Sequence, residues 1–401
     1  MLKQKYFLTD FFILSAEKQP IKSSWRKIEW LQISFMMNTN IHKESYRINW
    51  IDELKGFILI IVCLQHTHIN IPFIGGNLIV ICQAFHMPAF FFLSGILFST
   101  YRYPNFISYI KRKTKTLLVP YILLSLLFSF LDPRLYDPSL MKRMGYFSLN
   151  ICSSFDFLIE EFISIFYHGF PITIGPLWFV LTLFFVCILF FIIHYTLKGN
   201  NKGIIIYATF CLITGWILNL YGLILPYRFS TVFTASFFFT LGYLIRNKVR
   251  YIIKISPIRL GVIIIFLIPI YFYAININEA INLYINGLGN NFGGYILSTI
   301  SGISLITSIF IFINKFINDS IVQGILKNIA RNALIILSVH YWVIICCRIF
   351  FYSIAKESYF PWFVTSIMII VTTLAIPLFR NKLYMLIGKK KITVKESLSI
   401  K

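Results

Sequence analysis

From Leu177 to Ile193 the chain carries no charged residue and a single hydroxyl, Thr182. A helix of roughly 20 such residues crosses about 30 Å of hydrocarbon. Ten segments of this kind occur, near 51–73, 77–99, 116–131, 175–196, 203–222, 231–245, 259–274, 294–314, 332–350 and 361–379. The third, sixth and seventh are short or weakly bounded. None alternates apolar and polar residues over about ten positions, the pattern of a barrel strand. Charged residues make up only 13% of the chain against 58% hydrophobic. A soluble domain is about 25% charged, so this chain cannot cover itself with polar surface. That excludes a soluble enzyme, a disordered chain and a coiled coil. The expected fold is an all-α polytopic membrane protein of about ten transmembrane helices.

The net charge of +22 would suggest nucleic acid in a soluble domain. Here the basic residues lie in short connections between spans, which is the positive-inside bias, so no nucleic-acid partner is expected. With the N-terminus inside, thirty of the 37 Lys and Arg fall on the inner side and six on the outer, with Lys55 inside the first span. A missed span would put every later connection on the wrong side. The expected orientation is therefore N-in, C-in.

The chain divides into a cytoplasmic tail 1–48, a ten-helix domain 49–379 and a basic tail 380–401 lying on the anionic inner leaflet. Met36 and Met37 are alternative starts. The outer loop at about 132–174 is the long exception among short connections. Within it, Ser153 to His168 has apolar residues at helical spacing and reads as an interfacial helix. Asp156, Glu160 and Glu161 are read as its solvated face, with help to an acceptor site as the alternative. The glycine-rich stretch Gly287–Gly294 follows no strand. It reads as a flexible loop and not a phosphate cradle. The seven cysteines lack a CxxC pair and read as small buried hydrophobes.

Ionisable groups inside spans are costly and mark function. Span one carries Asp52, Glu53, Lys55 and His66. Eleven residues of helix return to within about 20° of the same face, so Lys55 and His66 share a stripe, with His66 about 16 Å further out. Span two carries Gln83, His86 and Pro88, and entering from outside it sets His86 within a turn or so of the height of His66. His340 and Ser338 of span nine can face the same space. Plainer roles compete: snorkelling for Asp52 and Lys55, and helix packing for His86. The ligand spacing fits no metal site, and no nucleophile elbow or Walker pattern occurs.

Several of these segments resemble the integral-membrane acyltransferase-3 family. The likeness lies in Asn49–Trp50–Ile51–Asp52–Glu53–Leu54–Lys55–Gly56 with Ile60 to His66, and in Phe85–His86–Met87–Pro88 through Ser94–Gly95. It continues in Leu117–Leu118–Val119–Pro120–Tyr121, Pro176–Leu177–Trp178–Phe179–Val180 and Phe239–Thr240–Leu241–Gly242–Tyr243, and in Asn332–Ala333–Leu334 with Ser338–Val339–His340. It covers about residues 49–390. The Asp-x-x-Lys-Gly form resembles the fucose-4-O-acetylase-like branch. In much of the family an Arg stands eleven residues before the first-span His. Lys55 keeps that charge without the bidentate fork.

The resemblance implies acyl transfer, most often acetyl, from acetyl-CoA to a hydroxyl of a carbohydrate or glycolipid, with no resident cofactor. His66 is then general base or acyl relay. Asp52 and Lys55 orient the donor or a water, and His86 binds a substrate or stabilises the oxyanion. In the basic run Lys111–Lys115, Arg112 and Lys115 are candidates for the CoA phosphates, and positive-inside topology explains the run equally well. Trp178 is a candidate for stacking on a sugar, with interfacial anchoring as the alternative. His340 is a candidate substrate contact. The Ile, Asn, Lys and Phe bias suits an AT-rich bacterial genome, hence a bacterial cytoplasmic (inner) membrane. The rival reading is a transporter of a sugar-like or anionic solute through the same polar residues.

Overall fold

The computed structural model describes residues 49–67, 78–100, 103, 105–143, 151, 153–278, 281–317 and 320–389. The expectations for the tail 1–48, with its starts at Met36 and Met37, and for the tail beyond 389 lie outside these residues. Helix makes up 81% and no strand occurs among the described residues, so the fold is all-α.

Thirteen helices carry the argument. They are α1 (Asn49–Thr67), α2 (Leu78–Gln83), α3 (His86–Ile96), α4 (Phe106–Phe130), α5 (Ser154–Ile163), α6 (Trp178–Thr196) and α7 (Asn201–Leu220). After these come α8 (Phe229–Ile245), α9 (Pro257–Asn276), α10 (Phe292–Phe316), α11 (Ile321–Arg331), α12 (Ala333–Phe350) and α13 (Phe360–Asn381). Among the described residues eight helical stretches are long and apolar enough to cross a membrane: α4, Gly175–Thr196, α7, Pro226–Ile253, α9, α10, α12 and α13. The chain is thus a multi-pass membrane protein. Helix α1 has the length, but Asp52, Glu53 and Lys55 interrupt its apolar run. Ile81–Ile96 is short.

The second expected span is broken. Pro88 has no N–H to give the carbonyl of Ala84, and the chain turns at Ala84–Phe85 between α2 and α3. The carbonyls freed at the end of α2 find other donors. Cys82 O accepts from Phe85 N at 3.2 Å, and its contact with His86 Nδ1 is 2.8 Å. Ile81 O accepts from the Tyr271 hydroxyl of α9.

At the centre α3 packs on α8, and α8 on both α6 and α7. Helices α7, α9 and α13 turn apolar side chains such as Ile206, Phe266 and Leu374 outward. Helix α11 lies against α1, with the Leu326 backbone so close to Gly56 that a Cβ there would overlap its carbonyl. Glu53, buried beneath α11, meets Lys327 at 3.3 Å and accepts from Asn314 Nδ2 at 2.6 Å.

The loop between α4 and α6 departs from expectation. Helix α5 is amphipathic, as an interfacial helix should be, and Phe155, Ile159 and Phe162 face outward. Its carboxylates do not form one solvated face. Asp156 caps the helix by a reciprocal pair with Ser153. Glu161 is 2% exposed and faces the protein. The glycine-rich stretch is a hydrogen-bonded turn and not a loose loop. Asn219 of α7 accepts from Leu288 N at 2.8 Å and donates to Gly289 O at 3.1 Å. Asn286, at φ 56°, accepts from Thr234 Oγ1 at 2.7 Å and donates to Gly215 O at 2.9 Å. Six cysteines are free and five of them buried among the described residues, as small apolar side chains are.

Candidate active site

His66 and His86 line one cavity of about 330 Å³. The two histidines expected to share one space both line it. Gln65, Gln83 and Tyr341 add polar groups, and Phe90, Trp178 and Phe179 add aromatic walls. On the far side stand Phe170, from the loop before α6, and Asn282 and Tyr284, from the turn before α10. His340 is fully buried and outside the lining. Its ring sits behind that of His66 with centroids 5.5 Å apart, while Tyr341 meets His66 edge-on at 5.2 Å.

Two of these imidazoles are oriented by the same device. His86 Nδ1 lies 2.8 Å from Cys82 O, and His340 Nδ1 lies 2.7 Å from Ile336 O, each one turn back. A carbonyl only accepts, so Nδ1 carries the proton in both rings. In the neutral form each Nε2 is then a lone pair. With Nδ1 so engaged, neutral His86 offers its Nε2 as an acceptor. Donors for an oxyanion exist nearby in the Gln65 and Gln83 amides and the Tyr341 hydroxyl.

Apart from Trp178, no sequence motif marks the aromatic wall around Tyr284. Tyr284 and Phe170 pack with centroids 4.4 Å apart, and Trp178 lies 6.4 Å from Tyr284. Arg228 is buried behind them, its guanidinium 4.5 Å from the Tyr284 ring centre and 5.1 Å from that of Phe170. Tyr227 and Arg228 hold φ of 55° and 61°. Two successive non-glycine residues in the left-handed region are strained and persist only where the surroundings fix them. Here the fixing is the double stack of Arg228.

Glu161 anchors the other end of this wall. It accepts from Ile172 N at 2.6 Å, and Thr173 Oγ1 donates to it at 2.7 Å. Ser129 Oγ lies 2.9 Å away and also contacts Ser125 O at 2.7 Å. Arg134, fully buried, forms a two-pronged pair with Asp132 at 2.9 and 2.7 Å and donates to Ile172 O at 3.2 Å. The segment from Phe170 to Trp178 is thus pinned on its outer side. Burial pushes the Glu161 carboxyl above the usual carboxylate range against the pull of these donors.

Lys55 stands elsewhere. It lines a second cavity of about 250 Å³ together with Ser94, Tyr103, Tyr109, Lys113 and Thr116. The shared stripe on α1 holds, but its two ends open into different spaces. Asp52 is half-buried a turn before Lys55. Arg112 and Lys115 are exposed and outside the lining, and the cavity is reached by Lys113 of the basic run and by Thr116 just after it. The reason is local. Residues Thr114–Leu118 form a π turn, because Pro120 brings no N–H to a regular ladder and the helix passes it with a wider turn. A wider turn changes which side chains face inward. Among the described residues no cluster of His, Cys, Asp or Glu could hold a metal ion.

The helical bundle thus holds a histidine-lined cavity and a second cavity lined by Lys55 and Lys113. A family profile described as an acyltransferase domain matches residues 48–380. The chain therefore belongs to the acyltransferase-3 family and is an acyltransferase. No curated protein and no solved structure matches it.

Proposed function

We propose that the protein moves an acyl group, most often acetyl, from acyl-CoA to a hydroxyl of a cell-surface carbohydrate or its lipid-linked precursor. The observation that carries this reading is His66 at the wall of a cavity that combines aromatic faces with Gln65, Gln83 and Asn282. Aromatic faces and amide side chains suit a polyhydroxylated ring, and a base beside them suits its hydroxyl.

In this reading the acceptor hydroxyl binds between His66 and Nε2 of His86. His66 takes its proton as the oxygen attacks the thioester carbonyl. The tetrahedral intermediate collapses, the C–S bond breaks, and the proton passes to the leaving thiolate. The amides of Gln65 and Gln83 and the Tyr341 hydroxyl supply donors to the transient oxyanion. His340 and Tyr341 hold the His66 ring. The CoA phosphates bind at the Lys55 cavity, where Lys55 and Lys113 offer charge and Thr116 a hydroxyl. Asp52 orients that end. Trp178 and Tyr284 take the sugar face. The Asp52-x-x-Lys55-Gly56 form supports the fucose-4-O-acetylase-like branch. The ten-span, N-in, C-in arrangement in a bacterial inner membrane puts the Lys55 cavity on the CoA side.

The test is mass spectrometry of surface glycans from a deletion strain carrying wild type or His66→Ala. Loss of an acetyl-sized mass, restored by wild type and not by the variant, is expected. Restoration by His66→Ala would overturn the mechanism. Glycans unchanged by the deletion, with solute flux in proteoliposomes that needs no acetyl-CoA, would return the transporter to the front.

A further inference from the structure

Three helices pass both cavities, and all three give the same partition between them. On α3, Phe90 lines the His66 cavity and Ser94 the Lys55 cavity. On α6, Phe179 and Leu183 do the same. On α1, Val62 and Lys55 line the two spaces, with Ile58 and Leu59 fully buried between. Four residues of helix advance about 6 Å, so the wall is a single turn thick at α3 and α6. It is aromatic. The Phe179 ring lies 5.2 Å from that of Phe90 and 5.0 Å from that of Phe91, tilted 48° and 53°. No acid–base role or polar contact in either cavity requires these three rings.

We propose that Phe179, held against Phe90 and Phe91, is a displaceable seal that the donor's arm must push aside to bring its thioester to His66. The proposal rests on the reading of acyl-CoA entering at the Lys55 cavity. From Lys55 to His66 the helix rises about 16.5 Å. About thirteen bonds separate the phosphorus from the sulfur of a pantetheine arm, the reach of between four and five extended residues, about 16 Å. With its phosphates near Lys55 and Lys113, the arm reaches His66 only by running straight through the Phe179 level. When no donor is bound, the closed rings separate the two compartments. When the arm is in place, it fills the gap itself, so water does not follow. The seal thereby sets the partition between transfer and hydrolysis. In hydrolysis, water's oxygen attacks the thioester carbonyl, the C–S bond breaks, and free carboxylic acid and CoA thiol leave.

The experiment uses the full chain in proteoliposomes, with two readouts: proton leak with no substrate, and acetyl-CoA hydrolysis with no acceptor. Phe179→Ala is expected to raise both by about fivefold or more, and Phe179→Leu, which keeps most of the bulk, by much less. Phe90→Ala removes the other side of the same contact and gives the second reading if Phe179→Ala does not purify as a single species. Alanine variants as tight as wild type in both readouts overturn the proposal. A wild type that does not consume acetyl-CoA, beside a Phe179→Ala that leaks protons, refutes the donor reading and leaves the seal standing.

Discussion

Glu161 shows how one buried carboxyl holds a cavity wall in place. Ser129 has one hydroxyl proton and two neighbours that accept, Ser125 O and Glu161 Oε1. The conflict disappears if Glu161 is protonated and donates to Ser129 Oγ, in keeping with the upward push of burial on its pKa. A carboxyl whose folded value is raised binds its proton more tightly when folded. Its stabilising effect is complete below the ordinary carboxylate value of about 4.3 and is lost as pH rises through the folded value. Glu161→Gln keeps an acceptor and a donor without a charge to bury. The expected result is a stability in detergent that falls with rising pH in wild type relative to Glu161→Gln, by at most about 1.4 kcal/mol per pH unit, and is read as a falling thermal midpoint. Parallel pH profiles of the two proteins would refute this. The burial of Glu161 was not legible in the sequence. Glu160 and Glu161 share one helical turn, and an amphipathic pattern separates their faces only when the environment of the apolar side is known. At α5 the apolar side looks outward, as in a membrane interface, and the inward side is polar.

At the scale of helices, the tightest contact is between α3 and α8. A Cβ on Gly95 would overlap the carbonyl of Phe239, and one on Gly242 that of Phe92. The two backbones touch at both points, which explains physically why the Phe90–Gly95 and Phe239–Tyr243 segments each carry a glycine. Tyr243, next in the second segment, contacts His194 Nε2 through its hydroxyl at 2.7 Å, tying α8 to α6. The clashing atoms are backbone, so no side-chain rotation relieves them. Gly95→Ala and Gly242→Ala are each expected to destabilise by about 1–3 kcal/mol. The double variant should cost less than the sum, because one separation of the helices accommodates both methyls. Additive losses in denaturation midpoints would show the two contacts to be independent. The spans were legible because hydrophobic length reports them directly. Helix breaks were less so. Pro88 and Pro120 are plain in the sequence, yet one splits a span at Ala84–Phe85 and the other widens α4 into a π turn. A proline removes one hydrogen bond in either case, and how the helix answers depends on tertiary donors such as Tyr271, far away in the chain, which takes up Ile81 O beside the break. The histidine pair was legible because residue counting along two neighbouring spans points both side chains to one space, and both line one cavity. Tyr284 was not, because its place is fixed by a turn that Asn219, Asn286 and Arg228 assemble from distant segments.

For the whole molecule, the contacts gather the basic segments at the Lys55 end. Arg246 donates to Phe98 O at 3.1 Å, and Lys315 donates to Ile253 O. Lys327 meets Glu53, and Lys389 donates to Arg331 O at 3.1 Å. At the opposite end Trp342 donates to Leu131 O at 3.1 Å and Asn219 bonds the turn at Gly289. The start of α1 and the segment after α13 therefore share one end, as an even number of crossings requires. If α1 and the α2–α3 pair each cross beside the eight long helices, the number is ten. In the proposed N-in, C-in orientation, which rests on the positive-inside bias, the Lys55 end faces the cytoplasm, where the proposed acyl-CoA donor is available. Single cysteines in a background freed of the native ones test this. Cysteines placed at Lys198, Lys254 and Lys382 are expected to be labelled by a membrane-impermeant thiol reagent only after the inner face is opened. Cysteines at Tyr221 and Tyr352 should react in intact cells. Labelling of Lys254→Cys from outside would place the basic cavity away from cytoplasmic CoA and remove the route on which donor entry depends. A reversed Tyr221→Cys alone would instead indicate that α7 is misassigned, leaving the central α1, α3 and α6 cavities in place.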